Sequence, residues 1–268
     1  MGNISFDTRS TSIEIMDNLG CQGEVVDQTL RELDFINQWL GGNIVTLNAL
    51  QSMWENVDKE KTISIADLGC GSGEMLRLIS KLAKRENRKV SLIGIDANPN
   101  ITRYAEANTP SPVAKGMGVE VKFEASDIFS DKFKSEKFDI VLCTLFLHHF
   151  SEEELVAIFQ SLKNQAQVGI IVNDIHRHPL AYYSIKWLTK LFSKSAMVKF
   201  DAPLSVLRAF TKKELQRILA KAGIENYQLK WKWAFRWQLI ISSLPLSYEV
   251  EEAGRTKLGR VSLPPRQR

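Results

Sequence analysis

Cysteine is scarce in this chain. The 268 residues contain three, Cys21, Cys70 and Cys143, far apart and odd in number. No CxxC pair occurs, so there is neither a disulfide framework nor a zinc signature. Cys70 and Cys143 read as small packing residues in a reducing cytoplasm, the expected localisation. Long apolar runs are also missing. No stretch of eighteen apolar residues occurs, so no transmembrane segment is expected. No signal peptide is expected from the first residues, and Phe6 stands where a myristoylation motif needs Ser or Thr. Charge of one sign is in short supply: 35 Lys and Arg against 31 Asp and Glu give a net charge of +4. That excess is too small to argue for a nucleic-acid partner. Histidine is limited to four residues in two places, His148-His149 and His176 with His178.

What is present centres on Ile63 to Glu74, ISIADLGCGSGE. A β-branched alternating run leads into Asp67, then Gly69, Gly71 and Gly73, then apolar residues at helical spacing. The stretch reads as strand, tight turn and helix, with free N–H groups of the helix start aimed over the turn. The spacing departs from the G-x-G-x-x-G dinucleotide fingerprint, because the third glycine comes one residue early. Asp96 closes the next apolar run, where an acid is placed to bind ribose hydroxyls. Asp127 follows the third run. One nucleoside without a pyrophosphate fits that pattern, with a generic nucleotide-binding turn, NAD included, as the alternative.

The chain order supports a single site. Apolar runs fall at 63–68, 90–95, 119–124, 138–143 and 168–173, with helices starting near Gly73, Asn98 and Ser151 and a short loop around Pro110 and Pro112. Alternating strands and helices call for a parallel sheet covered on both faces, with ligands beyond the C-terminal strand ends. Asp67, Asp96, Asp127, residues 143–149 and Asn173-Asp174 all fall there. Before the sheet, residues 1–23 read as a loose lead-in. Residues 24–40 carry helical spacing and end at Gly41-Gly42, and a second helix is expected over 44–54. Trp39 and Trp54 read as packing anchors, and the sharper alternative makes this arm part of a lid. Residues 175–210 are too long for a simple connection, and are aromatic and basic. A helix over 180–192 and an irregular piece are expected there, as a surface-packed insertion, a substrate cap or a membrane-surface element. A last helix capped at Thr211 leads to an antiparallel pair, 224–233 and 235–242, with Trp231, Trp233 and Trp237 as packing residues. The tail 251–268 is expected to be disordered.

DLGCGSG, GIDAN, ASDIF and FDIVLCTLFLHHF resemble, in order and spacing, the motifs of class I S-adenosylmethionine-dependent methyltransferases over about residues 63–242. The resemblance implies an α/β, Rossmann-like, seven-stranded and mostly parallel sheet with helices on both faces. An N-terminal helical arm (1–55) precedes a methyltransferase domain (56–250), whose helical cap insertion (175–210) follows the fifth strand. S-adenosylmethionine is the implied cofactor. Asp67, Gly69, Gly71 and Gly73 would surround its methionine part, Asp96 with Ala97 its ribose, and Asp127 with Ile128 its adenine. Thr144 and His149 would complete the cofactor wall. His176 and His178 follow the fifth strand, a position that faces the methyl group in the family's geometry; one of them is the candidate base, His176 preferred on position, with a hydrogen-bonded loop histidine as the alternative, and no metal is needed. The absence of Asn-Pro-Pro-Tyr or Asp-Pro-Pro-Tyr after the fourth strand argues against amide and nucleobase substrates. HHF, with 35–42 and 176–182, is similar to bacterial enzymes of quinone, polyketide or pigment pathways. The implied acceptor is a small aromatic or polyketide hydroxyl. The alternatives are C-methylation of a quinone-like acceptor and a cofactor-binding partner protein without turnover.

Overall fold

Seven strands form one sheet in the order β3-β2-β1-β4-β5-β7-β6. The computed structural model describes residues 4–110 and 118–243. The loop at Pro112 and the tail from 251 lie outside them. The strands are β1 (Ile63–Leu68), β2 (Val90–Asp96), β3 (Val119–Ala125), β4 (Phe138–Thr144), β5 (Ala166–Ile175), β6 (Gln228–Lys232) and β7 (Arg236–Ser242). The first five are parallel, and β7 lies antiparallel between β5 and β6. Central strands buried on both faces have to read as continuous apolar runs. β4 does so from Ile140 to Cys143, and every residue from Phe138 to Cys143 is buried.

The helices that follow the strands start where the sequence signals them. They are α3 (Glu74–Arg85), α4 (Pro99–Ala107), α6 (Glu152–Gln165) and α9 (Lys212–Lys221). Asn98 caps α4, and Ser151 and Thr211 each close a full capping box. A five-residue helix, α5 (Asp131–Ser135), was not signalled; its N-cap Ser130 bonds Phe133 N–H. Two apolar clusters fill the faces of the sheet. One holds Phe133, Phe159 and Phe210; the other holds Leu50, Trp54, Ile63 and Leu76.

The arm departs from expectation. α1 (Glu24–Trp39) ends at a left-handed Gly41, but α2 (Gly42–Trp54) starts at once, so Gly42 opens a helix instead of closing one. Trp54 is fully buried, whereas Trp39 is 66% exposed and anchors nothing. α2 sends Leu50, Met53 and Trp54 into the core against β1 and α3. It is therefore a layer of the fold.

Residues 4–23 are not a loose lead-in. Arg9 donates to the carbonyls of Arg208 (2.7 Å), His148 (2.9 Å) and Phe150 (2.8 Å), and its guanidinium lies 4.5 Å from the Phe210 ring centroid. Asp201 accepts from the N–H groups of Ile15 and Met16. The strap is held by polar side chains, which leave no hydrophobic period.

The insertion after β5 forms two regular helices, α7 (Pro179–Phe192) and α8 (Ala196–Arg208). α8 replaces the expected irregular piece and carries Pro203 inside it. Burial of Met197, Val198, Leu204 and Val206 outweighs the local cost of the proline. Of the three C-terminal tryptophans, Trp237 is buried, while Trp231 and Trp233 are exposed. Trp233 stands at the hairpin turn, where Ala234 and Phe235 have φ of 60° and 56°, so it packs no core.

Candidate active site

The C-terminal ends of β1, β2 and β4 meet over the glycine turn. Gly69, Gly71 and Gly73 all have positive φ, at 66°, 51° and 76°. A side chain at Gly69 would strike the Phe146 ring at 2.2 Å, while the nearest atom over Gly71 is Leu30 Cδ2 at 3.9 Å. Gly71 is thus the open floor of the turn, and α1 is its roof.

Asp67 is the last residue but one of β1 and is buried. Burial, with Asp96 nearby, lifts its carboxyl to about 7. Burial also raises the carboxyl of Asp96, which accepts from Asn98 N–H at 2.9 Å and Gly71 N–H at 3.4 Å. Ala97 follows, exposed. Asp127 is exposed and accepts from Phe129 N–H at 2.8 Å, beside a half-buried Ile128. Thr144 ends β4, its Oγ1 3.1 Å from Thr46 Oγ1 on α2. The buried Asp67 carboxyl, raised in part by the half-buried Asp96, suits a ligand carrying positive charge.

Leu145 takes φ of 54° at the end of β4. A left-handed leucine is strained. Leu147 and His148 beyond it point their N–H groups at Asp174 Oδ2, at 2.9 and 3.2 Å. Asp174 Oδ1 takes His148 Nδ1 at 2.7 Å. Burial opposes ionisation of Asp174, but His148 and the Ile175 N–H outweigh it and hold its pKa below the usual value. His149 Nδ1 lies 2.6 Å from Asp17 Oδ1.

The residues missed in the sequence are on the strap. Glu14 is buried, 3.8 Å from His148 Nε2 and 3.9 Å from Arg208 Nε. Burial lifts its carboxyl to about 7, and its Oε1 has no hydrogen-bond partner. Arg208 supplies the cation of this cluster and also holds Asp17 at 2.5 Å. No local period marks Glu14 or Asp17; only long-range pairing gives them a place.

His176 follows β5. Its N–H donates to the Phe235 carbonyl at 2.8 Å, and its ring lies 4.9 Å from Trp237 and 5.5 Å from His178. Burial, then the neighbouring His178 and Arg177, lower its pKa, and its Nδ1 is buried without a partner. These aromatic neighbours come from the cap and β7, not from the glycine turn. His149, by contrast, is close enough to Asp96 to act on its ionisation.

A Rossmann-like sheet ending in an antiparallel β7, with this turn and these acids at its strand ends, defines the class I methyltransferase architecture, whose methyl donor is S-adenosylmethionine. Residues 59–223 match the family described as Methyltransferase domain, and the chain belongs to it. It is a methyltransferase enzyme. Among curated proteins it is 28% identical over 183 residues to carboxy-S-adenosyl-L-methionine synthase of Wolinella succinogenes, covering 63% of this chain and 71% of that protein. The namesake from Staphylococcus epidermidis is 23% identical over 184 residues, covering 65% and 76%. Among solved structures, the plantazolicin methyltransferase BpumL with SAH aligns at TM-score 0.54 and 20% identity, covering 76% of this chain and 72% of that one. Human N-acetylserotonin methyltransferase with SAM aligns at 0.55 and 18%, covering 83% and 56%. Among the described residues no helix is long and apolar enough to cross a membrane.

Proposed function

We propose that the chain transfers the methyl group of S-adenosylmethionine to a hydroxyl of a small aromatic or polyketide-type acceptor. One observation carries this reading: an open left-handed glycine turn, the buried Asp67 and the half-buried Asp96 share one end of the sheet with a β5 terminus walled by aromatic side chains. In this reading residues 1–55 form the arm, 56–250 the catalytic domain and 175–210 its cap.

Gly69, Gly71 and Gly73 let the cofactor approach the backbone. Asp67 faces its positive methionine part, Asp96 and Ala97 hold its ribose, and Asp127 and Ile128 hold its adenine. Thr144 and His149 line the remaining wall. The bound cofactor supplies an electrophilic methyl on sulfur. The chain has to align the acceptor in line with that methyl, a task of positioning. His176, whose pKa burial lowers, would take the hydroxyl proton as the new O–C bond forms and the methyl–sulfur bond breaks, with S-adenosylhomocysteine as the leaving group.

A second reading, formation of a carboxylated cofactor, takes its support from the names of the curated relatives and from Arg236. This guanidinium is buried, and burial lowers its pKa to about 10. Its Nη2 donates to Asn37 Oδ1 at 2.8 Å, while Nη1 has no partner. Such a group can bind a carboxylate.

Calorimetry with S-adenosylmethionine and S-adenosylhomocysteine, against NADH, tests the cofactor. A labelled-methyl screen of phenols and quinols tests the acceptor. Label in an acceptor supports methyl transfer, and, with a carboxylic acid supplied as carboxyl donor, a cofactor heavier by CO2 supports the second reading.

A further inference from the structure

We propose that the outer face of α7 docks on an anionic lipid bilayer. Leu180, Tyr183, Trp187 and Leu191 recur at three- and four-residue spacing, so they form one stripe along the helix. All four are exposed, Leu191 at 68%, and Phe192 at the helix end is 75% exposed. The opposite side is satisfied: Ala181 and Tyr182 are buried against Val206, with Phe6 and Phe235 packed on them. The stripe is therefore a second apolar face, beyond the one that attaches the helix to the protein.

The charge along this stretch has one sign, and Glu32, the carboxylate that meets its end, is taken up by the Ser193 hydroxyl and the N–H groups of Lys194 and Ser195. Lys186, Lys190, Lys194 and Lys199 are all exposed, and no Asp or Glu occurs between Ile175 and Phe200. Lys190 Nζ lies 5.2 Å from the Trp187 ring centroid, and Lys186 Nζ lies 5.4 Å from that of Tyr182. Aromatic and aliphatic side chains flanked by lysines, without acids, are the composition of a helix lying in a bilayer interface. Acyl chains take the stripe, and anionic headgroups take the lysines.

Charge also argues against the other occupants. Two copies of this chain meeting through the face would set lysine against lysine, because a two-fold interface brings the same patch to itself. The chain's own C-terminal residues 251–268 carry five Lys or Arg against two Glu, so they repel the patch as well. The docking does not depend on which acceptor is methylated.

The experiment is flotation of the full chain with vesicles of phosphatidylcholine, with and without phosphatidylglycerol, at low and high salt. Binding to the phosphatidylglycerol vesicles that weakens with salt is expected. Trp187→Ser combined with Leu191→Ser should abolish it, and Lys186→Gln and Lys190→Gln should each weaken partitioning about fivefold. All four positions are exposed, so melting temperature and calorimetric cofactor binding should stay at wild-type values. Failure to float with phosphatidylglycerol, or equal flotation by the stripe variant, overturns the proposal. So does a dimer in sedimentation that the stripe variant dissolves, since a second copy is then the occupant.

Discussion

Ser72, inside the glycine turn, donates its hydroxyl proton to the Asp34 carboxylate of α1 at 2.7 Å. Arg77 on α3 holds the same carboxylate at 3.3 Å. Asn43, at the start of α2, donates to Glu74 at 2.9 Å. The arm is therefore bonded into the turn on which the proposed cofactor site depends. Asp34→Ala should weaken S-adenosylmethionine binding by about 1–3 kcal/mol, the range for losing a charged hydrogen-bond partner. Calorimetry checks this, and unchanged affinity would detach the arm from the site.

Asp96 is the proposed ribose ligand. Asp96→Ala should cost about 1–3 kcal/mol of cofactor affinity while leaving the melting temperature of the ligand-free protein near that of wild type. A variant that binds as wild type does removes the ribose assignment.

The carboxyl of Asp67, at about 7 in the ligand-free fold, makes two pH dependences. Its folded pKa is above its unfolded value of about 4, so the native state binds the extra proton and stability falls as pH rises from about 4 to about 7. A cationic ligand favours the ionised form, so cofactor binding should release a proton and tighten with rising pH up to about 7. Calorimetry in buffers of different ionisation enthalpy reads the proton, and Asp67→Asn should abolish its release.

Arg9 joins the strap to α8 and to the loop after β4. Arg9→Ala removes the donor to the Arg208 and Phe150 carbonyls and leaves the His148 carbonyl with Arg208 Nε at 3.3 Å, and it should lower unfolding stability by about 2 kcal/mol in urea titration. If stability is unchanged, residues 4–23 are not part of the cooperative fold.

His176→Gln tests the proposed base. It should lower kcat at pH 7 by about 100-fold and leave cofactor affinity unchanged. An intact kcat would pass the proton to another group, with His148, held by Asp174 at 2.7 Å, next in position.

Local sequence determined the sheet, the turn and the order of elements. Strand runs such as Ile63–Leu68, caps such as Ser151 and Thr211, and the three left-handed glycines are written in short-range patterns, because burial, capping and positive φ each select residue types in place. Tertiary structure alone decided the partners of isolated polar residues. Glu14, Asp17 and Arg9 carry no period, and Asp174 reads as one acid among several until the His148 ring and three N–H groups close on it. The exposure of Trp39 and the burial of Trp54 were likewise settled only by which side of the arm met the sheet. Hydrogen bonds and ion pairs between residues more than a hundred positions apart depend on where the fold brings their backbones, and nothing in the neighbouring sequence records that.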